Sequence, residues 1–173
     1  MHFFTVPISI RATALASLVL LGACSKKSDD PTPTPTPAAT PAGFSWTADN
    51  VNYTSTVANA SVQGTDVYLT GISGSSGNSN TISLLVPAAV GTYSIAGAPA
   101  NANYLMSYNL NAGSAATVYV ASNIRGNGSG TVTVTSYSAT AIVGTFSFTG
   151  DNASGGTGAT TKVVTNGKFN VKP

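Results

Sequence analysis

The chain has 173 residues, a formal net charge of +2 and an apolar content of 42%, yet only 7% of its residues are charged. Low charge together with low hydrophobicity would indicate disorder, but this apolar content is close to that of globular proteins. The near-neutral balance argues against a nucleic-acid partner, which proteins bind through a strongly basic face.

The N-terminus has the three parts of a secretory signal peptide. A short leader ends at Arg11, an uncharged run rich in Leu, Ala and Val follows over 12–21, and small residues come next. A membrane-spanning helix needs about 20 apolar residues. Pro7 and Arg11 interrupt the extension that would reach this length. The sequence therefore predicts a cleaved signal peptide and not a permanent membrane anchor.

The segment Leu21-Gly22-Ala23-Cys24 resembles the bacterial lipobox, Leu-x-x-Cys. The resemblance implies cleavage between Ala23 and Cys24 and a diacylglyceryl thioether on the Cys24 sulfur, so that the membrane is a partner through this lipid. Two or three acyl chains hold a protein stably at a membrane, whereas one holds it marginally. Because Cys24 is the only cysteine, no disulfide is expected within a monomer. The alternative is a free, buried cysteine.

A charged and then proline-rich segment follows the cysteine. Residues 25–30, Ser-Lys-Lys-Ser-Asp-Asp, resemble the short signal that sends lipoproteins of the Bacteroidota to the cell surface, and a solvated tether is the alternative. From Pro31, proline alternates with threonine, which favours polyproline II and a semi-rigid spacer of roughly 40 Å up to Gly43. We expect a lipid-anchored protein at the outer membrane, at the cell surface or on the periplasmic face.

Alternation of apolar and polar residues recurs through the rest of the chain and predicts about nine or ten short strands. The expected fold class is all-β, an antiparallel β-sandwich with a closed barrel as the alternative. The predicted strands cover 44–47, 51–54, 82–86, 93–95, 104–110, 117–120, 131–135, 142–148, 162–165 and 168–171. The chain thus divides into a signal peptide (1–23), a lipidated and disordered tether (24–43) and one domain (44–173).

Two dipeptides predict hairpin turns. Asp49-Asn50 separates two alternating segments near the start of the domain. Asn166-Gly167 separates two more near its end, and Asn-Gly suits a tight type I′ turn. Lys162 and Lys168 flank this second turn and are expected to be exposed guards of a strand edge. The segment Gly71 to Asn80, rich in Gly, Ser and Asn, is expected to be a displayed loop.

A family resemblance rests on the opening and closing segments of the domain. These are Phe44-Ser-Trp46-Thr-Ala-Asp49-Asn50-Val-Asn-Tyr53, Gly144-Thr-Phe146-Ser-Phe148 and Thr165-Asn-Gly167-Lys-Phe169-Asn-Val171. They look like a family of uncharacterised β-rich lipoproteins of the Bacteroidota. The resemblance implies a fold and a location, and it carries no activity, cofactor or catalytic residue.

The composition lacks the residue types on which most catalytic mechanisms depend. The only histidine is His2 in the leader, the only cysteine is the expected lipid acceptor, and there is no glutamate. The domain therefore lacks a histidine base, a thiolate nucleophile and the usual soft metal ligands. Its acidic residues are Asp49, Asp66 and Asp151. We expect no enzyme and no cofactor, although a Ser–Lys dyad that uses Lys162 or Lys168 is compatible with the composition.

Two glycine-rich segments are candidate ligand loops. Gly126 to Gly130 has the glycine content of a phosphate-binding loop, but a predicted strand follows it where such a loop needs a helix. The segment 149–158 offers Asp151, Asn152 and carbonyl oxygens to calcium, which prefers 6–8 oxygen ligands and more than one carboxylate. The simpler interpretations are a loose hairpin loop for the first segment and a flexible loop for the second, and we expect no metal.

The aromatic residues leave one binding hypothesis open. A row of rings on one sheet face would stack on sugars, although the same rings also suit a core or cross-strand pairs. The candidates are Trp46, Tyr53, Tyr68, Tyr104, Tyr108 and Tyr119. The sequence therefore favours a non-enzymatic surface lipoprotein that displays its domain to a glycan or protein ligand, with a surface carbohydrate-binding module as the alternative.

Overall fold

The computed structural model describes residues 40–113, 115–153 and 160–173. The predictions for the signal peptide, for cleavage between Ala23 and Cys24, for the lipid on Cys24 and for most of the tether lie outside the described residues. The same holds for most of the candidate calcium segment, of which 154–159 are not described.

Eleven strands make up the described part of the chain. They are β1 (Gly43–Ala48), β2 (Val51–Thr54), β3 (Val57–Gln63), β4 (Asp66–Ser75), β5 (Asn78–Pro87), β6 (Gly91–Ser94), β7 (Leu105–Ala112), β8 (Ala115–Ser122), β9 (Ser129–Tyr137), β10 (Ile142–Asn152) and β11 (Thr161–Val171). Across these described segments there is no helix long and apolar enough to cross a membrane.

The strands form one antiparallel sheet that curls into a half-barrel, which confirms the all-β prediction. The pairing order is β2-β1-β11-β10-β8-β7-β5-β4-β3, and β9 joins β10 to β6. The connection between β2 and β3 ties the two ends of this order together. The Ser55 N–H donates to the Phe44 carbonyl of β1 at 2.9 Å, and the Thr56 N–H donates to the Ile72 carbonyl of β4 at 2.7 Å.

The inner face of the curled sheet carries the hydrophobic core. Phe44, Phe146 and Phe169 come from β1, β10 and β11, and their ring centroids lie 5.9 to 6.4 Å apart. Two of these ring pairs are tilted and the pair of Phe146 and Phe169 is stacked, and such pairs stabilise a core beyond the area that they bury. The strict in–out alternation of β1 and β10 is what places these rings on one side.

The first predicted turn is confirmed. Asp49 and Asn50 form the two-residue link between β1 and β2, with Ala48 paired to Val51. Their φ angles are 51° and 62°. Both central residues of a type I′ turn need positive φ, and Asp and Asn tolerate this better than other residues with side chains.

The second predicted turn is wrong. β11 is continuous from Thr161 to Val171, and Asn166-Gly167 forms a bulge inside it. On the β1 side, Ser45 pairs with Lys168 and Thr47 with Thr165, so that two residues of β11 face one of β1. Asn166 has φ of 52°. A bulge uses the same left-handed conformation as a tight turn, and long-range pairing to β1 and β10 selects the bulge here.

The predicted display loop at Gly71 to Asn80 is also wrong. This segment holds the end of β4, a tight link and the start of β5, and the two strands pair from Asp66–Pro87 through Ser75–Asn78. Its Gly, Ser and Asn residues have low intrinsic strand preference. The hairpin of β4 and β5 is flanked by β3 on one side and by β7 on the other, and pairing with these strands overrides that preference.

Candidate functional site

The candidate sugar-stacking rings do not form an exposed row. Trp46, Tyr104, Tyr108 and Tyr119 are between 2% and 7% exposed and belong to the core. Tyr68, at 36%, is the exposed aromatic ring among the described residues. The structure therefore offers two other places for function, a polar cluster on the inner face and a groove on the outer face.

The inner cluster is centred on Lys162. Its ammonium group lies 5.3 Å from the centroid of the Tyr119 ring and 5.9 Å from that of Tyr108, and it donates to the carboxylate of Asp49. The Lys162 side chain is 10% exposed, whereas that of Asp49 is 64% exposed. The prediction that Lys162 is an exposed edge guard is therefore wrong, because two tyrosine rings and a carboxylate hold the cation on the inner face.

The hydroxyl of Tyr108 is the second polar group of this cluster. It donates to Asn80 Oδ1 at 2.5 Å. Burial raises the pKa of the Tyr108 phenol above its ordinary value, and neighbouring Tyr53, Asp49 and Tyr119 add to the effect. The phenol therefore stays protonated at neutral pH and acts as a hydrogen-bond donor. A raised pKa does not suit a base or a nucleophile, since either would need a lowered pKa.

The three aspartates lie on different elements. Asp49 is in the β1–β2 turn, Asp66 begins β4 and Asp151 is in β10. The Asp151 carboxylate accepts the Gly128 N–H at 2.9 Å and so fixes the β8–β9 connection. Within 40–113, 115–153 and 160–173, no group of three or more His, Cys, Asp or Glu residues could hold a metal ion.

The outer face of five strands forms an open groove of about 820 Å³. We call it the hydroxyl groove. The residues that face it with polar side chains are Ser45, Thr47, Asn52, Thr54, Thr131, Thr133, Thr145, Ser147, Thr165, Asn166 and Lys168. All of them are exposed or half-buried. Most of these groups are hydroxyls, with two amides and one ammonium group.

Strand register arranges these side chains in two rows across the sheet, and each row continues beyond the groove onto β6. The first row is Thr92, Thr133, Thr145, Lys168, Ser45 and Thr54. The second is Ser94, Thr131, Ser147, Thr165 with Asn166, Thr47 and Asn52. Neighbouring strands are about 4.8 Å apart and alternate residues of one strand about 7 Å apart. The rows thus form a regular lattice of hydrogen-bonding groups.

The bulge of β11 enriches this lattice. Alternation would send Asn166 to the inner face, but the bulge leaves both Thr165 and Asn166 exposed before Gly167 returns to the core. Gly167 has no space for a side chain, because a Cβ there would lie 2.5 Å from the Phe146 ring and from its carbonyl oxygen. The dipeptide Asn166-Gly167, for which the sequence predicts a turn, therefore forms the centre of the groove floor.

Cross-strand hydrogen bonds occupy only part of the lattice. Thr47 Oγ1 donates to Asn52 Oδ1 at 2.7 Å, and the hydroxyls of Thr92 and Thr133 are 3.2 Å apart. A hydroxyl both donates and accepts. The rows are therefore able to exchange hydrogen bonds to water for hydrogen bonds to a polar, largely uncharged ligand.

Comparison with known proteins gives one match. A family model described as a domain of unknown function (DUF6252) matches residues 40–173. Neither the curated proteins nor the solved structures include a significant match to the chain.

Proposed function

The chain belongs to the family of domains of unknown function DUF6252, and we propose that it is a non-enzymatic lipoprotein that holds this domain at the outer membrane of a member of the Bacteroidota. The observation that carries the proposal is Leu21-Gly22-Ala23-Cys24 directly after an uncharged apolar run. The lipid on Cys24 would anchor the chain, and the proline-rich segment would space the domain from the membrane surface.

The inventory of titratable groups supports a non-enzymatic role. After residue 40, the chain carries three aspartates, one arginine and three lysines as its charged residues. Asp49 pairs with Lys162, and Asp151 binds a backbone N–H. General acid–base catalysis needs a group with a tuned pKa beside a bound substrate. The carboxylates of Asp49 and Asp151 are instead engaged in contacts within the fold.

The anchor is tested by labelling with a fatty acid. Cells that express the natural chain are expected to incorporate the label into it, and the Cys24→Ala chain is expected to remain unlabelled and uncleaved. Ser28→Ala is the matched control, because it changes the same segment and keeps the acceptor thiol. Persistent label on Cys24→Ala, or no label on the natural chain, would contradict the lipid anchor.

A second function, glycan binding, is favoured by the hydroxyl groove. Sugars present hydroxyl groups, and a surface of hydroxyls and amides is able to replace their water shell with direct hydrogen bonds. The groove crosses five strands, a width of roughly 19 Å at 4.8 Å per strand, which accommodates several rings of a polysaccharide. This mode relies on hydrogen bonds and does not need exposed aromatic rings.

Glycan binding is tested with the purified protein on an array of polysaccharides. Binding to at least one glycan is expected, and the double variant Thr133→Val with Thr145→Val is expected to weaken it at least tenfold, because two central hydroxyls are lost. Thr161→Val, an outward threonine of β11 beyond the groove, is the matched control. Equal binding by all three proteins would place the glycan elsewhere.

A further inference from the structure

One charged side chain stands in the middle of the hydroxyl groove. Lys168 occupies the first row between Thr145 of β10 and Ser45 of β1. It is exposed, and within the described part of the chain no carboxylate forms an ion pair with it. All other polar side chains of the groove are uncharged.

The carboxylate at one end of the groove, that of Asp49, does not cancel the charge of Lys168. Asp49 lies beside Thr47 and Thr165 at that end, where these residues line a small adjoining cleft. Its carboxylate is engaged by Lys162, which reaches it from the inner face. The pair neutralises the acid whose charge would otherwise oppose an anionic ligand. The inner cluster and the groove are therefore linked through Asp49.

From this arrangement we infer that the hydroxyl groove selects an anionic glycan, one whose sugar rings carry a carboxylate or a sulfate. This inference rests on the glycan-binding function proposed above. The hydroxyl rows would bind the sugar hydroxyls along the chain, and the Lys168 ammonium group would bind the anionic substituent through a charge-assisted hydrogen bond. A flexible ammonium group suits this task, because it donates in several directions and does not require one planar geometry.

The size of the effect follows from exposure. Exposed ion pairs contribute modestly, and salt screens them. We expect an anionic glycan to bind roughly two- to fivefold more tightly than its uncharged counterpart at low salt. The preference is expected to shrink as the ionic strength rises, while the binding due to the hydroxyl rows persists.

The experiment compares matched pairs of polysaccharides with the purified protein. Each pair has one backbone: a uronate polymer with its carboxyl-reduced form, or a sulfated polymer with its desulfated form. The natural chain is expected to prefer the anionic member. Lys168→Gln is expected to bind both members with the affinity of the uncharged one. Lys172→Gln, which removes an exposed lysine outside the groove, is expected to behave like the natural chain.

The outcomes separate the two proposals. Binding without a preference for the anionic member, or a preference that survives in Lys168→Gln, would overturn the role of Lys168 and leave glycan binding in place. Binding to no polysaccharide would overturn glycan binding itself. A preference confined to the uronate pair would assign a carboxylate, and one confined to the sulfated pair would assign a sulfate.

Discussion

The inner and outer faces of β1, β10 and β11 differ in chemistry, although the residues of the two faces alternate along the same strands. The inner face carries Phe44, Phe146 and Phe169, which pack together. Where the outer face of the same strands lines the hydroxyl groove, its side chains are Thr, Ser, Asn and one Lys. Because neighbouring residues point to opposite faces, one segment supplies both the stability of the fold and the candidate binding surface. Substitutions on the two faces should therefore have separable effects.

The largest effect is expected on the inner face. Phe169 is fully buried against two other phenylalanine rings, so Phe169→Ala should lower the free energy of unfolding by about 3–5 kcal/mol. Lys168→Gln, one residue away on the outer face, should stay within about 0.5 kcal/mol of the natural chain. Urea unfolding measures both. Similar losses for the two variants would show that the faces are not separate.

The bulge is the point where the two faces meet. Gly167→Ala places a Cβ against the Phe146 ring and backbone and should cost about 1–3 kcal/mol of unfolding free energy through overpacking. Gly97→Ala is the control, since the nearest atom to its Cβ would be 4.0 Å away. Thermal and urea unfolding of both variants provide the measurement. A neutral Gly167→Ala would mean that the bulge is not held as described.

A smaller effect is expected at the ion pair that joins the faces. Asp49→Asn leaves the buried Lys162 ammonium group without its carboxylate and should destabilise the fold by about 1 kcal/mol, a modest value because Asp49 is largely exposed. Lys162→Met keeps the packing against the two tyrosine rings and should be nearly neutral. When Asp49→Asn is added to Lys162→Met, the free energy of unfolding should not decrease further. Additive losses in this cycle would refute the pairing.

The mildest of these tests uses pH. Tyr108 has a raised pKa in the folded protein, so above about pH 10 the unfolded chain loses this proton while the folded chain keeps it. The contribution of Tyr108 to the free energy of unfolding is therefore fully present below about pH 10 and decreases as the pH rises further. Urea unfolding as a function of pH should show a steeper alkaline decline for the natural chain than for Tyr108→Phe. Parallel declines would contradict the raised pKa.

Local sequence was sufficient for part of the fold. The turn at Asp49-Asn50 and the strands with strict alternation, such as Ile142 to Phe148, lie where the pattern predicts them. Both depend on short-range chemistry, namely left-handed conformations at two residues and a two-residue side-chain period. The resemblance to an uncharacterised family is also consistent with the matched domain of unknown function.

The remaining features depend on partners that are distant in sequence. Asn166-Gly167 suits a turn and a bulge equally, and pairing to β1 and β10 decides between them. Lys162 is buried because Tyr108 and Tyr119 approach from other strands. The strands β3 and β4 both escaped prediction, β4 although its first residues alternate between buried and more exposed positions, and β3 because it is mostly exposed and rich in Ala, Asn and Ser. Pairing with β4 stabilises β3 despite this composition.

The hydroxyl groove had a sequence signal that was visible but incomplete. Thr131, Thr133 and Thr135 alternate with glycine and valine, and Thr145 and Ser147 alternate with phenylalanine. This pattern indicates a polar outer face for each strand alone. Only the register of β9, β10, β11, β1 and β2 shows that the polar residues align into rows.

The most direct test of the account is to map the bound glycan on the purified protein. Backbone amide chemical shifts are recorded by NMR while the tightest-binding polysaccharide of the array is added. We predict that the shifts concentrate at the two rows, including Thr133, Thr145 and Lys168, and leave Asn59 and Thr70 on the outer face of β3 and β4 unchanged. Shifts centred on β3 and β4, with the rows unaffected at saturation, would contradict the assignment of the hydroxyl groove as the binding surface.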